Sequence, residues 1–204
     1  MTTHFTSGVT NVGAGGTLGK IKQPDPTKYH TYFNDFDVYT SGDWTVTTTE
    51  AGSGSATEAI IDGDGGLLAL TNAAGDNDHD FLQLKKETFK FESTKQLYFK
   101  ARFKTSDADA SDVVMGLQLT DTSPLDVTDG IFFLLTDGST TLQFIVEKDG
   151  TQSTLDLPTV MADDTFTTVG FVYDPKDLKF HVFQNNVLAG TVASTNAPDD
   201  EELN

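Results

Sequence analysis

The sequence predicts an all-β protein, a two-sheet antiparallel sandwich or jelly roll carrying an extended N-terminal arm. Three observations predict it. From Tyr32 to Val192, short apolar–polar alternations recur, many rich in Phe, of which the chain has 15. Turn dipeptides such as Asp-Gly and Asn-Asn separate nearly all of them. Residues 1–30 share none of this periodicity: they are rich in Gly and Thr, and Pro24 and Pro26 stiffen the exit into the body.

Taken in order, Phe36 to Tyr39 opens the body, and Asp43 to Thr49 alternates with Trp44 and Val46 on one face. Ala59 to Ile61 and Leu67 to Leu70 flank Asp62-Gly63-Asp64-Gly65-Gly66, a hairpin signal because these residues supply positive φ. Phe81, Leu82 and Leu84 form the next short strand. Gln96 to Lys104 sets Leu97, Phe99, Ala101 and Phe103 on one face and Tyr98, Lys100, Arg102 and Lys104 on the other. That period of two marks a sheet with one side in a core and one side wet. Val113 to Leu119 and Ile131 to Leu135 are more continuously apolar, as strands buried on both faces are. Thr141 to Lys148, Gln152 to Leu157, Phe166 to Tyr173, Lys179 to Gln184 and Val187 to Val192 complete the set. Asp149-Gly150, Asn185-Asn186 and Asp174 to Asp177 supply the turns among them. About a dozen strands at such short spacing spell a sandwich. No segment predicts a helix.

The domain division that follows is an arm over 1–30, a sandwich over 31–196 and an acidic C-terminal tail over 197–204. In the arm, Phe5, Val9, Val12, Leu18 and Ile21 are spaced apolar anchors, and Lys20 and Lys22 add positive charge. Low charge and these anchors favour an arm that orders on contact with a partner over a solvated tail.

The chain carries 13 Lys and Arg against 31 Asp and Glu, a net of −18. So acidic a surface repels phosphate, and the single arginine, Arg102, further argues against nucleic acid. Lys20, Lys22 and Lys28 against Asp25 give residues 1–30 a net of +2, which leaves −20 on the remainder. A mildly basic arm fits acidic neighbours, including copies of the same chain. Without cysteine the fold uses no disulfide. No apolar run reaches the ~18–20 residues of a membrane-spanning helix.

Asp76-Asn77-Asp78-His79-Asp80, with Glu87 following, echoes the oxygen-ligand spacing of a calcium loop. Asp76, Asp78 and Asp80 are its candidate ligands. Phe81 stands where such a loop needs Gly, so solvated turn carboxylates are the plainer reading; no other cofactor is indicated. His181 sits in an alternating strand and reads as a satisfied, partly buried side chain rather than a base. Trp44 is the one candidate sugar platform, although its place in an alternating strand favours core packing. Tyr29, Tyr32 and Tyr39 cluster at the arm–body junction, as packing or as an interface.

The hairpin order resembles the concanavalin A-like, or laminin G-like, jelly roll. Its matching run goes from Phe33-Asn34-Asp35-Phe36 and Trp44 through Leu97 to Phe103, then Phe171-Val172-Tyr173-Asp174 and His181 to Val192. Members of that fold commonly end in a further strand lying centrally in a sheet. Here the sequence stops at Ala197-Pro198-Asp199-Asp200-Glu201-Glu202-Leu203-Asn204, so the expectation is either that the natural chain continues past Asn204 or that another segment, the arm or a neighbouring subunit, fills that place. Some members cleave polysaccharides with paired carboxylates in a Glu-x-Asp-x-x-Glu strand; no such run exists here, so hydrolysis is not expected.

The opening MTTHFTSGVTNVGAG resembles the N-termini of tailed-phage virion proteins encoded near the major capsid protein. That resemblance implies a capsid decoration, or cement, protein located on a virion. It implies the major capsid protein or other virion subunits as partners, and self-association, most simply as a trimer. A carbohydrate- or receptor-binding module on a fibre, tail or cell surface is the alternative.

Overall fold

The computed structural model describes residues 29–50, 54–63, 65–73 and 77–204. The arm anchors Phe5, Val9, Val12, Leu18 and Ile21, together with Lys20, Lys22 and Asp76, lie outside the described residues. Among the described residues fourteen strands run in chain order: β1 Trp44–Thr49, β2 Thr57–Ile61, β3 Leu67–Thr71, β4 His79–Leu84, β5 Phe89–Lys90, β6 Leu97–Phe103 and β7 Val113–Gln118. They continue with β8 Gly130–Leu135, β9 Gln143–Lys148, β10 Thr151–Asp156, β11 Thr167–Asp174, β12 Lys179–Gln184, β13 Val187–Ala193 and β14 Glu202–Leu203. Among the described residues the helical elements are two 3-10 turns, Ser41–Asp43 and Ser194–Asn196.

By backbone packing the chain forms two units. The larger comprises Thr40–Ala56 and Asn72–Asn204. Its heart is a pair of four-stranded antiparallel sheets, ordered β10-β9-β8-β7 and β13-β12-β11-β6. This is the two-sheet antiparallel sandwich that the sequence predicts. Alternation along the strands aims one set of side chains between the sheets: Ile131, Phe133 and Leu135 from β8, Phe144 and Val146 from β9, Val169, Phe171 and Tyr173 from β11, Phe180 and Val182 from β12. Phe144 and Phe171 meet across the sheets with ring centroids 5.3 Å apart. Phe99 stacks on Phe171 at 5.7 Å, so phenylalanines from β6, β9 and β11 form one continuous aromatic layer. The β6 alternation is as the sequence predicts, with Leu97, Phe99, Ala101 and Phe103 packed against the core.

β8 is buried on both faces. Phe132 joins Ile145 and Val127 in a second, smaller cluster on the opposite side of that sheet, with Val114 and Leu134 packed against it. Continuous hydrophobicity in the Ile131–Leu135 run reflects this double burial. Gly116 permits the close β7–β8 approach, since a Cβ there would lie 2.5 Å from the Phe132 Cα.

Two expectations are corrected. Residues 197–204 do not trail away as a tail: Ala197 and Leu203 are core residues, and β14 pairs with β5. Thr88 N–H donates to the Leu203 carbonyl at 2.8 Å, while Asn204 exchanges main-chain hydrogen bonds with Gln118 at the end of β7. This C-terminal strand therefore sits between β5 and β7, in the place that the arm or a neighbour was expected to fill. The apolar Leu203 outweighs the acidic run before it, because Asp199 and Asp200 pair with Lys148, and Glu202 with Lys90.

The second correction concerns the start of the body. Phe36 to Tyr39 is no strand: the Asn34 side chain accepts the Phe36 N–H at 2.8 Å, and Phe36 takes φ 56°, which breaks an extended run. These residues belong to the smaller unit, whose described parts are 29–39 and the β2–β3 hairpin. Gly65 and Gly66 make the hairpin turn with φ of 83° and 72°. Gly66 also lies against the 35–37 backbone, where a Cβ would come within 2.2 Å of the Asp35 carbonyl oxygen.

Candidate functional site

The smaller unit exposes its apolar side chains. Phe33 is 84% accessible and Val38 70%, and Tyr29, Tyr32, Ile60, Ile61 and Leu70 are exposed with them. These are half of the fourteen large apolar side chains exposed among the described residues, gathered in a short stretch of chain. The cause is local. A two-stranded ribbon buries at most one face, and β2 presents Ile60 and Ile61 in succession, so one of the pair faces outward whichever face is covered. Exposed apolar side chains gathered in this way are a feature that interaction sites share. The Tyr29, Tyr32 and Tyr39 cluster hinted at this surface in the sequence; Phe33 entered only through the resemblance, and Val38 and Ile60 only as strand residues, because a strand pattern does not say which apolar side chains stay uncovered.

The other candidate residues are dispersed. Trp44 opens β1 opposite Leu84 and is half-buried. Val46, expected beside it in the core, is exposed, because β1 pairs with β4 in a two-stranded sheet of its own. Asp78 precedes β4, and its carbonyl accepts the Asn72 side-chain amide at 3.2 Å. Asp80 is a buried strand residue that accepts the Thr48 hydroxyl at 3.3 Å. Among the described residues no group of three or more His, Asp and Glu side chains is arranged to hold a metal ion. His181 pairs with the Asp177 carboxylate at 3.0 Å.

One buried carboxylate escaped sequence reasoning. Glu147 lies in β9 on the same side of its sheet as Ile145, between Gly130 of β8 and Gln152 of β10. The Gln152 amide donates to Glu147 Oε2 at 3.0 Å. Burial pushes the Glu147 carboxyl above its ordinary 4.5, and negative charge at Asp129 and Asp126 pushes the same way, against the Gln152 hydrogen bond. A raised carboxyl beside a second carboxylate is what an acid catalyst needs. Asp129, however, accepts the Asp149 N–H at 3.1 Å and so holds the β9–β10 turn, and Asp126 is exposed. The group is best described as a buried polar brace. Glu147 was hidden in the sequence because a lone Glu at a strand end carries no motif.

No protein-family model matches this chain, and no curated protein matches it. Solved structures do. The crystal structure of SO2946, a protein of unknown function from Shewanella oneidensis MR-1, is similar with a TM-score of 0.54 and 15% identity, over 83% of this chain and 73% of that one. The native heptameric SAP-like pentraxin from Limulus polyphemus is similar over 51% of this chain, with a TM-score of 0.36 and 14% identity; the match spans 46% of the pentraxin chain. At such identities the SO2946 likeness speaks to fold alone.

Proposed function

We propose that this chain is a non-enzymatic structural protein of a virion, a decoration or cement subunit attached through its N-terminal region. The sandwich is the displayed body, and the N-terminal arm with the smaller unit is the attachment element. One observation carries the reading: large exposed apolar side chains concentrate in 29–39, which directly follows the Gly- and Thr-rich arm in sequence, and in the β2–β3 hairpin of the same unit. A shell provides the cover that such a surface lacks. An extended arm of ~30 residues spans up to ~100 Å, so it gains contact area that a compact body touching a shell does not. Ordering it costs about 1–2 kcal/mol per residue, which a broad apolar contact offsets.

The test is co-sedimentation with undecorated capsid shells. Full-length chain is expected to pellet with shells, whereas deletion of residues 1–22, or the double change Phe33→Ser and Val38→Ser, releases it to the supernatant. Thermal melting of the variants checks that the body is still folded. Variants that melt normally and still coat shells as well as the parent would refute the attachment reading.

A further inference from the structure

The sheet β13-β12-β11-β6 turns an unusual face outward. Its four strands carry Lys100, Arg102 and Lys179 against the single carboxylate Asp174, in a chain where acids outnumber cations 31 to 13. Lys104, Lys90, Lys95 and Lys148 are each bound to carboxylates. Lys100 instead donates to the Asn186 side-chain oxygen at 3.2 Å, and the Arg102 guanidinium lies 3.8 Å over the Phe166 ring. Neither cation has a carboxylate partner among the described residues, so their charge is available.

A groove of about 330 Å³ lies on this face. Gly170 is its floor. In register Gly170 stands between Lys100 of β6 and Phe183 of β12, with Thr168 and Val172 two residues to either side on its own strand. A Cβ at 170 would lie 2.8 Å from the Phe99 carbonyl oxygen, so no larger residue fits without displacing the β6–β11 ladder. Tyr98, paired with Val172, is 60% exposed, and its hydroxyl donates to Gln96 at 2.6 Å, which fixes the ring at the groove's rim. Asn186 closes the side nearest the β12–β13 turn.

We propose that this groove binds a carboxylated saccharide. The ring face of Tyr98 suits the C–H face of a sugar, Asn186 and Thr168 supply hydroxyl partners, and Lys100 receives the carboxylate, with the charge of Arg102 outside the lining, two residues further along β6. The volume suits one or two sugar rings. Charge complementarity decides against a neutral occupant. The chain's own acidic residues 199–202 are not the occupant: Asp199, Asp200 and Glu202 are already held by Lys148 and Lys90. This proposal uses no residue of the attachment element and stands or falls without it.

The experiment is amide NMR titration of the full chain with an α-1,4-linked galacturonate hexasaccharide, beside maltohexaose and hexaglutamate. Shifts are expected at Thr168–Val172 and Asn186 with the galacturonate, and to weaken as NaCl rises. Tyr98→Ala and Lys100→Gln, both solvent-facing changes, are expected to weaken binding at least about tenfold. Lys179→Gln, on the same face but outside the groove, is expected to bind as the parent does. Absence of galacturonate shifts, or shifts that map away from Gly170, overturns the proposal. Equal binding of maltohexaose overturns the role of the cations, and equal binding of hexaglutamate assigns the face to acidic protein instead.

Discussion

Asn204 and Gln118 exchange both of their main-chain hydrogen bonds, at 2.9 and 3.1 Å, although the two positions are 86 apart in the sequence. The exchange carries Leu203, fully buried, into the core beside the end of β7. Lys148 fastens the approach by binding Asp199 and Asp200; its ammonium is held above the ordinary range and the Asp199 carboxyl below its own.

Leu203→Ala is therefore expected to behave as a core truncation. A loss of about 2–5 kcal/mol in urea unfolding is expected, with the slope on denaturant unchanged. A loss under about 1 kcal/mol, within the range of surface changes, would show that the terminal strand is incidental to the sandwich.

Glu147 gives a pH dependence of defined sign. Its folded value is raised, so the native state keeps a proton that the unfolded chain has released above about pH 4.5. Stability from this group is fully present below that pH and is lost as pH rises through the folded value. Glu147→Gln removes the titration while keeping an oxygen to accept from Gln152. The variant is expected to melt higher than the parent at pH 7 and level with it at pH 4. A difference that does not change with pH would contradict the buried-brace account.

Tyr173 has its ring fully buried among Phe91 and Phe180 and its hydroxyl donating to the Ser93 carbonyl at 3.0 Å. Tyr173→Phe keeps the ring and orphans that carbonyl. A cost of about 0.5–1.5 kcal/mol is expected by denaturant unfolding. No change at all would mean that water satisfies Ser93 as well as the phenol does.

Gly66→Ala tests the smaller unit. Alanine meets both a φ of 72° and the Asp35 carbonyl, two penalties of separate origin. Amides of β2 and β3 are expected to exchange hydrogen faster in the variant, read by mass spectrometry over Thr57–Thr71. Unaltered protection there would argue that the hairpin does not depend on the 35–37 backbone.

Several elements were legible from residues alone. β6 follows from its strict alternation, β8 from unbroken hydrophobicity, and the β12–β13 turn from Asn185-Asn186, whose φ angles of 51° and 64° are those that asparagine tolerates best. Asp149-Gly150 marked the β9–β10 turn in the same way, with φ of 50° and 72°. Trp44 and Val46 were expected on one buried face, but a ribbon paired only with β4 does not bury it. β5 and β14 were invisible, since two residues have no period and Leu203 follows an acidic run. The groove on Gly170 was out of reach for another reason: Lys100 lies far in number from Phe183 and Asn186 and meets them only through strand pairing.

By itself the sequence determined what neighbours along the chain decide: the all-β class, the strand periods and the turns that need positive φ. Tertiary structure alone decided which strand lies beside which, that the C-terminal residues complete a sheet, and where a glycine opens a groove beside Lys100. Hydrogen-bonded pairing across a hundred residues depends on burial summed over the whole core. No local pattern encodes that sum.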